Sequence, residues 1–155
     1  MRSITAKVFI VMATIAIAAF AADNSVGTWK YNAAKSKTTS TNPTKSQTDV
    51  REAAPDGGIR VTRTGQMADG TPANYSFTYK YGGKEYPVTG APFDTISVKR
   101  INANSWSWIV KKTGGKYHVT GRNVLSKDGK TMTQTAKGTD AEGKPVTSTA
   151  VFDRQ

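Results

Sequence analysis

The sequence contains no cysteine and only one histidine, His118, among its 155 residues. The first absence excludes disulfide bonds, thiolate metal sites, thiol nucleophiles and a lipidated N-terminal cysteine. The second argues against a histidine-rich metal site, and His118 lacks an acid and a serine at the spacing of a catalytic triad. Paired carboxylates, phosphate-binding loops and dinucleotide motifs are missing as well. The sequence therefore predicts a protein that is not an enzyme and that uses no cofactor and no metal.

Acidic residues are scarce, because 11 Asp and Glu stand against 22 Lys and Arg, for a net charge of +11. The most one-sided stretch is 24–48, which holds four lysines and no acid. Successive turns of an up-and-down sheet lie at opposite ends, so lysines at turns are expected to form no single basic patch. We therefore predict no nucleic-acid partner. The turn lysines that follow a glycine are Lys84, Lys116, Lys130 and Lys144.

Long apolar runs are limited to one, from Val8 to Phe20. Arg2 and Lys7 precede it, and Ala19-Phe20-Ala21 at its end supplies the small residues of a cleavage site, which is the pattern of a secretory signal peptide over residues 1–22. We expect cleavage near Ala21 or Ala22 and a secreted or periplasmic domain over 23–155, with a retained membrane anchor as the alternative. Cleavage removes two basic residues and no acid, so the net charge falls from +11 to +9. After cleavage no integral membrane segment is expected, and the domain is predicted to be a monomer.

Helical periodicity is almost absent from the remaining residues, whereas apolar and polar residues alternate with a period of two. The pattern is clearest over 73–81, and turn signals such as Asp-Gly and Gly-Gly recur every 12 to 15 residues or so. This predicts an all-β fold, a single antiparallel up-and-down barrel of about 8–10 strands, since closure removes exposed sheet edges. Residues 33–45 and 82–93 are expected to be long irregular loops. The predicted strands are 26–32, 46–53, 59–67, 73–81, 94–102, 105–112, 116–125, 131–138 and 146–154.

The segment Val26-Gly27-Thr28-Trp29-Lys30 resembles the Gly-x-Trp signature on the first strand of calycins, the lipocalins and fatty-acid-binding proteins. The resemblance implies that Trp29 closes the barrel floor and that Arg154, on the last strand, packs across it. It also implies a ligand held in the interior. The Arg-x-Tyr ligand clamp of fatty-acid-binding proteins is missing, since Ala150 and Phe152 occupy those positions. YPVTG at 86–90 and SKDGKTMT at 126–133 resemble exported bacterial proteins of unassigned function.

An aromatic stripe and two arginines are the candidate ligand-binding residues. Aromatic side chains at one parity would line either a pocket for a small, partly apolar ligand or an ordinary filled core. Arg63 and Arg100 fall on the inward parity, where they would bind an anionic group or reach the barrel rim; Glu52 or Asp94 could pair with them. The aromatic candidates are Tyr75, Phe77, Tyr79, Trp106 and Trp108, with Tyr81 at the end of the stripe.

The sequence therefore predicts a secreted, lipocalin-like carrier or sensor of a small hydrophobic or amphipathic molecule that carries, in one version, an anionic group. The alternative is a solid barrel that acts through its loops. In that case residues 33–45 and 82–93 would contact a protein, as an inhibitor does, or an anionic polymer of the cell envelope.

Overall fold

The computed structural model describes residues 23–155, and the predicted signal peptide, 1–22, lies outside the described residues. Two three-residue 3-10 helices, Ala33–Lys35 and Pro55–Gly57, are the only helical elements within 23–155. Accordingly, no helix in this part of the chain is long and apolar enough to cross a membrane. The strands are β1 (Gly27–Tyr31), β2 (Lys37–Thr38), β3 (Thr44–Ala54), β4 (Gly58–Met67), β5 (Tyr75–Tyr79), β6 (Gly82–Pro87), β7 (Thr95–Asn102), β8 (Ser105–Lys111), β9 (His118–Leu125), β10 (Thr131–Thr139) and β11 (Pro145–Arg154).

Within residues 23–155, ten strands form one antiparallel sheet in the order β5-β4-β3-β1-β11-β10-β9-β8-β7-β6, and β2 pairs with β11. Strands that pair in the sheet also follow one another along the chain, with two exceptions. The first strand, β1, pairs with the last, β11, and it also pairs with β3 because β2 lies outside this order. The end strands β5 and β6 lie close together, although no hydrogen-bonded ladder joins them in the described part of the chain. The result is a nearly closed barrel, which confirms the prediction of an all-β, up-and-down barrel of about 8–10 strands.

Two segments differ from the expectation. Residues 82–93 were expected to form an irregular loop, but 82–87 form strand β6 against β7. The strand tolerates its unusual residues because Gly83, with φ of 78°, lies where the register with β7 shifts, and Pro87 is the last residue of β6. Residues 33–45 contain a 3-10 turn and the two-residue strand β2 instead of loop alone.

The alternating strand directions collect the connections at two ends of the barrel, here called the closed end and the mouth. The chain enters at the closed end, where β1 begins and β11 finishes. The mouth carries the long connection between β1 and β3, together with Lys116 and Lys144. The closed end comprises 23–26, 55–57, 80–81, 103–104 and 126–130, and the mouth comprises 32–43, 68–74, 88–94, 112–117 and 140–144.

At the closed end, Trp29 is fully buried and its indole N–H donates to the Ser25 carbonyl at 2.9 Å. The Arg154 guanidinium lies over the indole, 4.2 Å from the ring centroid. Gly27 has φ of 138°, and a Cβ there would collide with the Arg154 side chain, so the close approach requires glycine. The same guanidinium donates to three backbone carbonyls, those of Asn24 at 2.6 Å, Val26 at 2.6 Å and Gly129 at 2.7 Å.

Candidate functional site

The inward face of β3 is polar. Gln47, Asp49 and Arg51 take alternate positions along the strand and are only 8%, 2% and 5% exposed, while Val50 points to the other face. Side chains two residues apart share one face of a strand, so burial of one places all three in the interior. The sequence analysis did not predict them because it assigned apolar residues to the inward face of each strand. The signal that could have identified them is that almost every residue of 47–51 is polar in a strand expected to have neighbours on both sides.

Asp49 neutralises Arg63, which lies directly opposite it on β4. The two make a bidentate ion pair, with Nε to Oδ1 and Nη2 to Oδ2 both at 2.8 Å. Gln47 donates to both Asp49 oxygens at 3.1 Å, and Nη1 of Arg63 donates to the Tyr75 hydroxyl at 2.9 Å. Burial acts to lower the pKa of Arg63, but the attraction of Asp49 and these hydrogen bonds together raise it above its ordinary value. Both charges are therefore compensated.

The expected partners of the two arginine candidates are wrong. Glu52 is exposed on the outer side of β3, and Asp94 binds at the mouth to the residues after β8. Arg63 pairs with Asp49, and Arg100 pairs with Asp23 at the closed end. The parity of β7 points Ile96 and Val98 inward, but Arg100 lies past the barrel floor beside a register shift. The structure therefore does not bring Arg100 into the interior.

Arg51 occupies the interior without a comparable partner in the described part of the chain. Its Nη2 donates to the Tyr79 hydroxyl, and its guanidinium lies 4.9 Å from the Trp106 ring centroid and 5.9 Å from that of Tyr79. Its Nε is buried and has no hydrogen-bond acceptor among residues 23–155. Burial raises the pKa of the Tyr79 phenol despite the attraction of Arg51, so Tyr79 stays a neutral hydroxyl. Among residues 23–155, the interior therefore carries one positive charge without a countercharge.

An inner chamber of about 70 Å³ adjoins Arg51. Asp49, Arg63, Asn123 and Gln134 supply the rest of its polar lining. A cavity needs ~10–15 Å³ to hold one water molecule, and an engineered cavity of about 150 Å³ admits benzene. The chamber is therefore large enough for a group of carboxylate size and too small for a whole aromatic ligand. Its aromatic walls are Phe77, Tyr79, Phe93, Trp106 and Trp108.

An outer chamber of about 280 Å³ lies towards the mouth. Arg63 and Gln134 line both chambers, so the two adjoin at these residues. Lys37 and Asp140 stand among the polar groups nearer the solvent. The larger chamber therefore suits the apolar body of a ligand. Its apolar lining includes Tyr31, Met67, Tyr117, Val119, Ala136 and Phe152.

The wall beside β9 is fixed by a buried amide. Asn123 is 2% exposed and accepts the indole N–H of Trp108 at 2.6 Å. Its amide also donates to the Met132 sulfur at 3.2 Å. Gly121 faces the same indole, and a Cβ there would collide with the ring. The orientation of Trp108 is therefore determined by a glycine and an asparagine on the neighbouring strand.

The predicted site residues fall into three groups. Phe77, Tyr79, Arg63, Trp106 and Trp108 line the inner chamber. Tyr75 lies beside them through its hydrogen bond to Arg63 and its stacked contact with Phe77, whose centroid is 6.2 Å away. Arg100 lies outside the chambers, stacked 3.7 Å from the Tyr81 ring centroid. The residues missed by sequence reasoning are Gln47, Asp49, Arg51, Asn123 and Gln134.

The fold is a calycin-type β-barrel, as the residues around Trp29 predicted. Among solved structures, the wild-type fluorescent protein UnaG aligns with a TM-score of 0.56 at 13% identity, covering 85% of this chain and 98% of that one. A mutant of UnaG aligns with a TM-score of 0.57 at 14% identity, covering 85% and 96%. No protein-family model matches the sequence, and no curated protein matches it. At this identity the likeness shows the fold alone.

Proposed function

We propose that this protein binds a small, partly apolar molecule inside its barrel and performs no chemistry on it. The observation that carries the proposal is the pair of adjoining chambers, aromatic on the inside and open towards the mouth. A barrel of this size has an interior that side chains can fill completely. Here they leave space, bordered by aromatic and aliphatic walls and by polar groups that converge on it, and ligand sites commonly combine the two.

The polar groups of the interior favour binding over catalysis. The interior carboxylate, Asp49, is held by both Arg63 and Gln47, so it is not free to act as a general base. Tyr79 is protonated at neutral pH, and burial raises its pKa further, so its hydroxyl does not supply a phenolate base. The fluorescent protein UnaG has the same fold. We also propose that the domain works outside the cytoplasm, on the strength of the signal-peptide pattern in 1–22.

The alternative function, a solid barrel that acts through its loops, required a filled interior. The two chambers favour the interior site over that alternative. They also explain why Gly121 and Asn123 hold Trp108 in one orientation, since a chamber wall must stay in place without ligand.

A neutral fluorescent dye, N-phenyl-1-naphthylamine, tests the proposal. Dye binding should enhance its fluorescence and quench tryptophan emission, because Trp106 and Trp108 line the inner chamber. Ala136→Phe fills the outer chamber and should weaken dye affinity by about tenfold or more, the effect of losing ~1.4 kcal/mol of binding free energy. Thr135→Phe is the matched control, since it adds the same ring to the outward face of β10.

The control should leave dye affinity within about twofold of wild type, a difference of ~0.4 kcal/mol. Absence of dye binding, or equal losses in the two variants, would contradict an interior site. Circular dichroism of both variants separates loss of binding from loss of fold.

A further inference from the structure

Arg51 is the group that the fold leaves unexplained. A guanidinium has five N–H donors, and within residues 23–155 this one has a single acceptor, the Tyr79 hydroxyl. The residue is 95% buried, and its Nε has no acceptor. Burial of a charge without a partner is strongly unfavourable, so buried arginines are normally paired. The contacts with the Tyr79 hydroxyl and the Trp106 ring offset only part of this cost, because neither supplies a negative charge.

The nearby carboxylate is not available to it. Asp49 is saturated by the bidentate contact with Arg63 and by Gln47, and none of the ion pairs within 23–155 includes Arg51. Arg63 uses Nε, Nη1 and Nη2 in its contacts with Asp49 and Tyr75. Of the two interior arginines, Arg51 is thus the one with donors left for a ligand.

Aromatic side chains fix the orientation of the Arg51 guanidinium. Its guanidinium lies against the Trp106 ring at 4.9 Å and is anchored by the Tyr79 hydroxyl. Both side chains are at most 2% exposed, so the guanidinium has little freedom to turn away from the inner chamber that it lines. An orientation fixed before binding reduces the entropy cost of capturing an anion.

We infer that the ligand carries one carboxylate group, which Arg51 holds in the inner chamber while the apolar body of the ligand lies in the outer chamber. The inference rests on the proposed function and specifies its ligand class, an amphipathic monocarboxylate that enters head first. Asp49, Arg51 and Arg63 leave a net interior charge of +1, which one carboxylate neutralises. A second anionic group in the inner chamber would meet Asp49, because Arg63 is already paired with it, so ligands with two carboxylates at one end should bind worse.

A matched pair of ligands tests the inference by isothermal titration calorimetry. 4-Phenylbutyrate and 4-phenylbutanamide have nearly the same shape and differ by one negative charge. Wild type should prefer the carboxylate by about tenfold or more. Arg51→Met removes the charge at similar volume and should abolish that preference. Arg51→Lys, which keeps a cation, should retain part of it. Arg60→Met is the control, since it removes an exposed arginine from the outer face of β4.

The outcomes separate the two proposals. Equal binding of both ligands to wild type would overturn the anion site and leave the proposed function standing. Binding of neither ligand, together with failure of the dye, would overturn both. A preference that survives in Arg51→Met would place the anion elsewhere and contradict the inference. An equal loss of preference in Arg60→Met would show that the net positive charge of the protein, and not Arg51, attracts the carboxylate.

Discussion

The closed end and the interior of the barrel each hold an arginine against a tryptophan, and the two arginines differ in their remaining contacts. Arg154 lies 4.2 Å from the Trp29 ring centroid and donates to three backbone carbonyls. Arg51 lies 4.9 Å from that of Trp106 and donates to one hydroxyl. Each of the three guanidinium nitrogens of Arg154 donates a hydrogen bond, so this pair stabilises the fold. Only one nitrogen of Arg51 donates to a residue within 23–155, so N–H groups are left that a ligand can bind.

The largest effect is expected from Asp49→Asn, which would give Arg63 the same unpaired state as Arg51. Removal of one partner from a buried ion pair costs ~3–5 kcal/mol, because the other charge stays buried. Asp49 has 3% of its side chain exposed and Arg63 has 19%, so the lower end of that range is expected. Urea unfolding followed by tryptophan fluorescence measures the loss. A change below about 1 kcal/mol would show that Arg63 reaches solvent instead.

Arg154→Met should also destabilise the fold, by about 2 kcal/mol, since it leaves three carbonyls at the closed end without their charged donor. The effect is smaller than for Asp49→Asn because these carbonyls lie near solvent and can accept water. The same urea experiment reports it. Ligand affinity should stay unchanged in the folded variant, because Arg154 lines neither chamber; a large loss of affinity would contradict the division between the two arginines.

Arg51→Met should increase the free energy of unfolding of the ligand-free protein by about 1 kcal/mol. This change is opposite in direction to the two above and the smallest of the three. The removal of an unpaired buried charge outweighs the loss of the Tyr79 hydrogen bond, and the methionine side chain packs against Trp106 instead of the guanidinium. Groups held ready for a ligand commonly reduce stability in this way. Thermal unfolding without ligand measures the change. Destabilisation by more than about 1 kcal/mol would mean that Arg51 is structural, like Arg154.

The barrel itself could be predicted from the sequence because its signals are local. Turn residues and alternation over Tyr75 to Tyr79 depend only on neighbours in the chain. The segment 82–87 was missed because its two glycines and its proline are typical of loops, and only pairing with β7 makes it a strand. The signal peptide over 1–22 and cleavage near Ala21 stay predictions.

The candidate site was harder to predict because it depends on register. Arg63 could be placed inward by parity, but its partner, Asp49, follows from the alignment of β3 with β4. Arg51 was missed for a related reason. A polar residue on an inward face contradicts the usual patterning of a strand, and such violations are expected where a site serves function instead of stability.

Contact between the ligand and Arg51 is tested most directly by nuclear magnetic resonance of arginine side chains. The Nε–H signals of Arg51 and Arg154 would be followed while 4-phenylbutyrate is added, after assignment with Arg51→Lys and Arg154→Lys. The Arg51 signal should shift and saturate with binding, because the carboxylate is expected to contact the guanidinium to which this Nε belongs. The Arg154 signal, already bonded to Gly129, should stay in place. Saturable binding of the probe with an unmoved Arg51 signal would contradict the account.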